Sequence, residues 1–148
     1  MDLFADVKEF HAKFGVGYDG LPRFLPKDLY DFRLKFLREE ITEWEDHHNF
    51  GKDCLHHGPY DHPKIVRALE GTLDAMVDEV YVALGTALLQ GFDFNEAWKR
   101  VHAANMAKVR CTDASQSKRG STHDVIKPPG WVAPSHIDLV SRNAYTGE

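Results

Sequence analysis

An all-α helical bundle of about four main helices is the fold this sequence predicts, and three observations predict it. Apolar residues recur at spacings of three and four through the first 110 residues, the period of helices with one packed face. Proline is sparse there outside two loop stretches, and no stretch reads as an internal strand. The chain has 148 residues, 43% of them hydrophobic and 28% charged, which suits one folded domain with its own core and excludes a disordered chain.

A first helix is expected from about Leu3 to Phe14, stopped by Gly15, with Gly20, Pro22 and Pro26 in the loop behind it. A second runs from about Lys27 to His48, carrying Leu29, Phe32, Phe36, Leu37, Ile41 and Trp44. A polar, histidine-rich loop from Asn49 to Pro63 is expected next. The third helix runs from about Lys64 to Gln90 with Ile65, Leu69, Leu73, Met76, Val77, Val80 and Leu84, and Gly91 closes it. Asp93 then opens the fourth helix as N-cap, with Glu96 placed to complete a capping box. Near position 110 the composition changes to Ser115, Ser117, Gly120, Ser121 and Thr122, then Pro128-Pro129-Gly130 and Pro134. Residues 1–110 therefore read as the helical body. Residues 111–148 read as an extended Pro-rich tail that lies on the body or on a neighbouring subunit.

Composition narrows the function. A net charge of −5, before nine histidines are counted, argues against stable nucleic-acid binding, which requires a basic face. It leaves a nucleotide substrate open, because acidic residues can hold the divalent metals that nucleotides carry. Two cysteines, Cys54 and Cys111, do not make a disulfide scaffold. The start, Met1-Asp2-Leu3-Phe4, has no basic region or apolar run of a signal peptide. The expected compartment is the cytoplasm, with no membrane partner.

Chemistry enters where the apolar pattern breaks. From Gly71 to Phe92 the only charges are Asp74, Asp78 and Glu79, which predicts a buried helix with Asp74 and Asp78 on one face. Ionised carboxylates in apolar surroundings require compensation. On the second helix Leu29, Phe36 and Glu43 fall at heptad spacing, with Glu40 one turn beyond Phe36 and Glu39 one turn before Glu43. Facing carboxylates of this kind build Mg²⁺ or Mn²⁺ sites in bundles, although each set alone also suits a solvated face. On the fourth helix Trp98, Val101, Asn105 and Lys108 share a face expected to meet the bundle. Lys108 there suits a phosphate oxygen or an ion pair. No cysteine sits in a nucleophile motif and no P-loop occurs.

The set Glu39-Glu40-Ile41-Thr42-Glu43, Asp74 with Asp78, and Asn105-Met106-Ala107-Lys108 resembles the MazG-like branch of the all-α nucleoside triphosphate pyrophosphohydrolases. The likeness takes in Val77-Asp78-Glu79-Val80-Tyr81 and the tail stretch Asp124-Val125-Ile126-Lys127-Pro128-Pro129-Gly130-Trp131, which is similar to small phage and bacterial members. It covers roughly residues 5 to 140. The resemblance implies a homodimer or homotetramer that uses Mg²⁺ or Mn²⁺, two or more per site, to split a nucleoside triphosphate into monophosphate and pyrophosphate. By position it implies Glu40, Glu43 and Asp78 as metal ligands, and Glu39 as ligand or water-positioning base. Asn105 and Lys108 would hold the nucleotide, with Lys108 also stabilising the departing pyrophosphate. The family's second acidic motif is usually Glu-x-x-Asp. Here Ala75 stands three residues before Asp78, and Asp74, four before, is the expected substitute.

Base selection is carried by resemblance alone. Relatives that remove dGTP, among them the MazZ group, point to a purine deoxynucleotide with dGTP first. Trp131 is a candidate base-stacking residue and Lys127 a residue that closes over the site. Phe10 and Phe14 admit stacking or core roles. Two other readings stand beside this one. A phosphoribosyl-ATP pyrophosphohydrolase would share the fold and the chemistry. A non-catalytic zinc- or partner-binding helical module would use His47, His48, Cys54, His56, His57 and His62, at spacings that match no zinc motif.

Overall fold

A computed structural model describes residues 1–56 and 61–141 of the chain. Four helices carry it: α1 Leu3–Lys13, α2 Lys27–His56, α3 His62–Leu89 and α4 Phe94–Met106, so the all-α expectation holds. Asp2 starts α1 by accepting hydrogen bonds from the Phe4 and Ala5 amides. Gly15, at φ +66°, turns the chain away after Lys13 and Phe14. The face of α1 that carries Phe4 and Val7 packs on Leu84, Ala87 and Leu88 of α3, with Tyr81, Phe92 and Phe94 around them. Phe10 and Phe14 lie off that face and remain half-exposed, ring to ring at 4.8 Å, so neither is a core residue.

The central unit is the antiparallel pair of α2 and α3. Its register is read from three approaches along one face of α2. Arg33 donates to the Val82 carbonyl and to Thr86 Oγ1, the His47 ring lies over Gly71, and Gly51 lies against the Ala68 methyl group. These approaches also explain a departure from expectation. The stretch Asn49–His56, expected as loop, continues α2. His47 and Gly51, one turn apart, meet small residues of α3, so packing against Gly71 and Ala68 replaces the missing apolar stripe. His47, His48, Cys54 and His56 are consequently strung along α2 and His62 opens α3, while His57 lies outside the described residues.

The expectation of a fully buried third helix is also corrected. Its large buried side chains are confined to its last turns, with Val82, Leu84, Gly85, Ala87, Leu88 and Leu89, and before them only the small Ala68 and Ala75 are enclosed. Leu69 and Leu73 are 65% and 64% exposed, and Asp74, Met76, Val77, Asp78 and Val80 also face outward. The reason is that α1, 11 residues long, covers only the C-terminal half of a 28-residue helix. Gly91, at φ +71°, ends the helix as expected.

Asp93 caps α4 by accepting from the Glu96 amide at 3.0 Å, but the capping box does not close. The Glu96 carboxylate turns to Arg100 instead, at 3.0 Å. No α4 residue is buried, and the face expected to meet the bundle leaves Trp98 62% exposed. Beyond α4 the chain forms a two-residue antiparallel ladder, β1 Val109–Arg110 with β2 Val125–Ile126, which no strand signal anticipates. Between them lies one 3₁₀ turn, Ala114–Gln116, and a last helical turn α5 spans Ile137–Val140. Two anchors hold this segment on α4 of the same chain. Trp131 Nε1 donates to the Ala104 carbonyl at 2.7 Å. Arg100 donates to both Asp138 carboxylate oxygens, at 2.6 and 2.8 Å, and to the Ser135 carbonyl at 2.9 Å. No helix among the described residues is long and apolar enough to cross a membrane.

Gly85 is expected to be intolerant of any side chain. A methyl group there would meet His11 Nε2 at 2.7 Å and Arg33 Nη2 at 2.8 Å, and both side chains are buried. Gly85→Ala should destabilise the protein by about 1–3 kcal/mol despite the better helix propensity of alanine, read as a lowered denaturant midpoint. The Arg100–Asp138 tie has its own pH signature. Arg100 lowers the Asp138 carboxyl to about 2. Its contribution is therefore complete above the ordinary carboxylate range and lost as pH falls through about 2. Protection of the amides at residues 135–140, taken relative to unstructured exchange at the same pH, should fall as pH drops from about 4 towards 2, and Asp138→Asn should show that lower protection already at pH 7.

Candidate functional site

Residues on α2 and α3 account for the acidic positions. Glu39 and Glu40 share one turn of α2 with Glu43 a turn later, and Asp74 and Asp78 occupy successive turns of α3. Since Arg33 lies opposite Val82 and His47 opposite Gly71, the antiparallel register places Glu40, midway between them, beside the Asp74–Asp78 stretch. The side chain that faces α3 is that of Glu40, only 6% exposed, rather than that of Glu43, which faces solvent. The heptad that predicts Glu43 is offset by one turn from the stripe that packs, Arg33–Glu40–His47.

The environment of Glu40 records what surrounds it. Burial raises its pKa above the ordinary glutamate value, and repulsion from Glu43, Asp78, Glu39 and Asp74, in that order, raises it further. Among the described residues it takes part in no ion pair with a lysine or arginine. Glu39 leans outward to Lys35, 3.5 Å away, in an exposed pair of small energetic weight. As the side chains stand, no three of the His, Cys, Asp and Glu groups among the described residues are close enough together to hold a metal ion. The donor set itself is chemically suited to a hard cation: carboxylate oxygens on two helices, four of them on exposed side chains with rotamers free to turn inward.

The predicted nucleotide-holding residues form a second group at the end of α4. Lys108 Nζ donates to Asn105 Oδ1 at 2.8 Å. The same ammonium lies 5.6 Å from the centre of the Trp131 ring, and the Lys127 ammonium lies 4.4 Å from it. Asn105, Lys108, Lys127 and Trp131 are thus neighbours, although 22 residues of sequence separate Asn105 from Lys127.

A buried polar pair escapes the sequence reading. His11 and Arg33 are 4% and 9% exposed and converge over Gly85. His11 Nδ1 is 3.1 Å from the Val16 carbonyl, and Arg33 holds Thr86 Oγ1 and the Val82 carbonyl at 3.0 and 2.6 Å. Burial lowers the Arg33 pKa, and the two hydrogen bonds compensate part of that cost. A signal for the pair does exist in the sequence: Arg33 stands between Leu29 and Phe36 on the expected packing stripe, and Gly85 interrupts a helix. A cleft of about 740 Å³, lined by Phe4, Lys8, Tyr18, Leu88, Phe92 and Asn95 among others, lies at the opposite end of α3 from Asp74. It contains none of the carboxylates of the acidic group.

Comparison with known proteins adds one match. The sequence model described as PRA-PH, phosphoribosyl-ATP pyrophosphohydrolase, matches residues 7–105, a span that holds all five carboxylates and ends at Asn105. No curated protein matches the chain.

The electrostatics of Glu40 give a test that needs no substrate. Its carboxyl binds a proton more tightly folded than unfolded, so in chelating buffer stability should fall as pH rises from the ordinary glutamate range through the raised value. Glu40→Gln should remove that slope and raise the melting temperature at pH 7 by a few degrees. A variant that melts lower than the parent across the same pH range would show that the repulsion is already compensated.

Proposed function

The chain belongs to the phosphoribosyl-ATP pyrophosphohydrolase family, and from that premise we propose a metal-dependent pyrophosphohydrolase that converts a (deoxy)nucleoside triphosphate to its monophosphate and pyrophosphate. A purine deoxynucleotide, dGTP first, is the proposed substrate. The observation that carries the reading is the buried Glu40 carboxyl, which has four other carboxylates near it and no ion pair among the described residues.

Glu40, Glu43 and Asp78 would hold Mg²⁺ or Mn²⁺, with Asp74 and Glu39 completing the set for two or more ions. Bound there, the ions would offset the charge on the phosphate oxygens and on the incoming water. Glu39 would orient that water and accept its proton as the oxygen attacks the α-phosphorus, after leaving its pairing with Lys35. The bond from the α-phosphorus to the bridging oxygen breaks, and its electron pair leaves with pyrophosphate. Lys108 stabilises the negative charge that accumulates there. Asn105 would contact the sugar or phosphates, Trp131 would offer a face to the base, and Lys127 would close from the tail.

The second reading, phosphoribosyl-ATP as substrate, is favoured by the description of the family itself. It requires the same cleavage of a triphosphate and differs in what is attached to it. Assembly is also proposed. Leu69, Leu73, Met76 and Val80 form an exposed row on α3 at spacings of three and four, beside Ile41 and Trp44 of α2, and a second copy of the chain would cover it. The expected species is a homodimer or a homotetramer.

Product analysis with each common NTP and dNTP and with phosphoribosyl-ATP, in Mg²⁺ or Mn²⁺ and in chelator, tests the reaction. Metal-dependent monophosphate and pyrophosphate are expected, with Glu43→Gln and Asp78→Asn lowering kcat by about 10²-fold or more. Diphosphate and free phosphate as products would overturn the position of attack. In light scattering, Leu73→Asp should shift the protein to a monomer, and a parent chain that is monomeric at micromolar concentration would remove the proposed interface.

A further inference from the structure

The family match stops at residue 105, yet the chain continues into a folded segment whose charge has the opposite sign from the body. Residues 1–107 hold 12 Lys and Arg against 19 Asp and Glu, while residues 108–127 hold five against two. Two of those five are placed in an unusual way. In the ladder Val109 faces Ile126 and Arg110 faces Val125, and Lys108 and Lys127 flank it at one end, directly before Val109 and directly after Ile126. Like charges held close together repel.

Neither ammonium has a carboxylate partner among the described residues. Lys108 has the Asn105 amide oxygen and the indole, and Lys127 has the indole. Of the other three, Arg119 pairs with Asp124 at 2.9 Å, while Arg110 and Lys118 have neither an ion pair among the described residues nor a place on the indole. The indole is itself fixed, because its N–H is bound to the Ala104 carbonyl at the end of α4. A rigid aromatic floor therefore gathers two unneutralised cations from the ends of two strands, at the end of the helix that carries Asn105.

We infer that Lys108 and Lys127 form a clamp for a diphosphate group, with Trp131 as its floor. Two cations match the charge of a diphosphate better than that of a single phosphate, and binding would replace the repulsion between them with two charge-assisted contacts. The diphosphate can be free inorganic pyrophosphate or the terminal part of a nucleotide. Its assignment to the substrate rests on the pyrophosphohydrolase reading, whereas the clamp itself does not.

The test is calorimetric titration of the full chain in chelating buffer with inorganic pyrophosphate, and separately with dGMP. Lys108→Met and Lys127→Met are compared with the parent after thermal melts confirm that each folds. Pyrophosphate should bind the parent, and each variant should weaken it about tenfold or more with a smaller salt dependence. dGMP binding should change little. Failure of the parent to bind pyrophosphate, unchanged affinity in Lys127→Met, or equal loss for dGMP would each overturn the clamp. Steady-state kinetics with dGTP in Mg²⁺ separates it from the reading on which the substrate assignment rests. Lys127-dependent pyrophosphate binding without hydrolysis of any nucleotide would overturn the enzyme reading and leave the clamp standing. Hydrolysis with an unchanged KM in Lys127→Met would overturn the assignment of the clamped diphosphate to the nucleotide.

Discussion

A polar heptad on α2, Arg33–Glu40–His47, is the constraint around which the rest of the chain is arranged. Each member faces α3, and each makes a demand on the position opposite. Arg33 needs acceptors and finds the Val82 carbonyl and Thr86. His47 needs space and finds it over Gly71. Glu40 is left buried beside other carboxylates, with no ion-pair partner among the described residues. The small residues Ala68, Gly71 and Gly85 let the helices approach closely, and that approach brings the Glu40 carboxyl into the field of Asp74 and Asp78. A stripe of leucines at these positions would pack the pair of helices with a larger hydrophobic gain. It would also erase the acidic group.

The same geometry accounts for what remains uncovered. Because α1 is short, its core with α3 is confined to one end, around Phe4, Val7, Leu84 and Leu88. The rest of α3, up to about Val80, presents its acidic pair and its apolar row to the outside of a single chain. Residues 109–141 do not compensate, because their anchors, Ala104 and Arg100, both lie on α4. The chain is thereby divided into a packed end that holds the helices together and a charged, exposed stretch that carries the acidic group.

Much of this architecture is legible in the sequence, and the failures have identifiable causes. Helix starts are readable where a short acidic side chain precedes the run, as Asp2 and Asp93 do, since the cap bond is local. The end of α2 is hidden because His47 and Gly51 look like loop residues until their small partners on α3 are known, and those partners are 24 and 17 residues away. Period alone selects Glu43 over Glu40, because a heptad counted from Leu29 cannot reveal which neighbouring row another helix will cover. The sequence overstates the burial of α3 for a related reason: an apolar surface records that something packs there, not that it belongs to the same chain. The grouping of Lys108, Lys127 and Trp131 has only a resemblance behind it, since a two-residue ladder leaves no periodic signal.

The choice between the two substrate readings turns on that last group. Phosphoribosyl-ATP and a deoxynucleoside triphosphate present the same triphosphate to the carboxylates, so residues that hold metal and phosphate cannot tell them apart. Discrimination has to come from groups that contact the base and sugar, or whatever is joined to them. The family match ends at Asn105, at the edge of that region. Beyond it the chain forms a segment with its own fold, fixed to α4 by an indole N–H and a bidentate arginine, and bearing an aromatic face next to two unneutralised lysines. On the proposed reading, then, the helical pair carries the chemistry that the chain shares with its family, and residues beyond 105 decide which nucleotide that chemistry acts on.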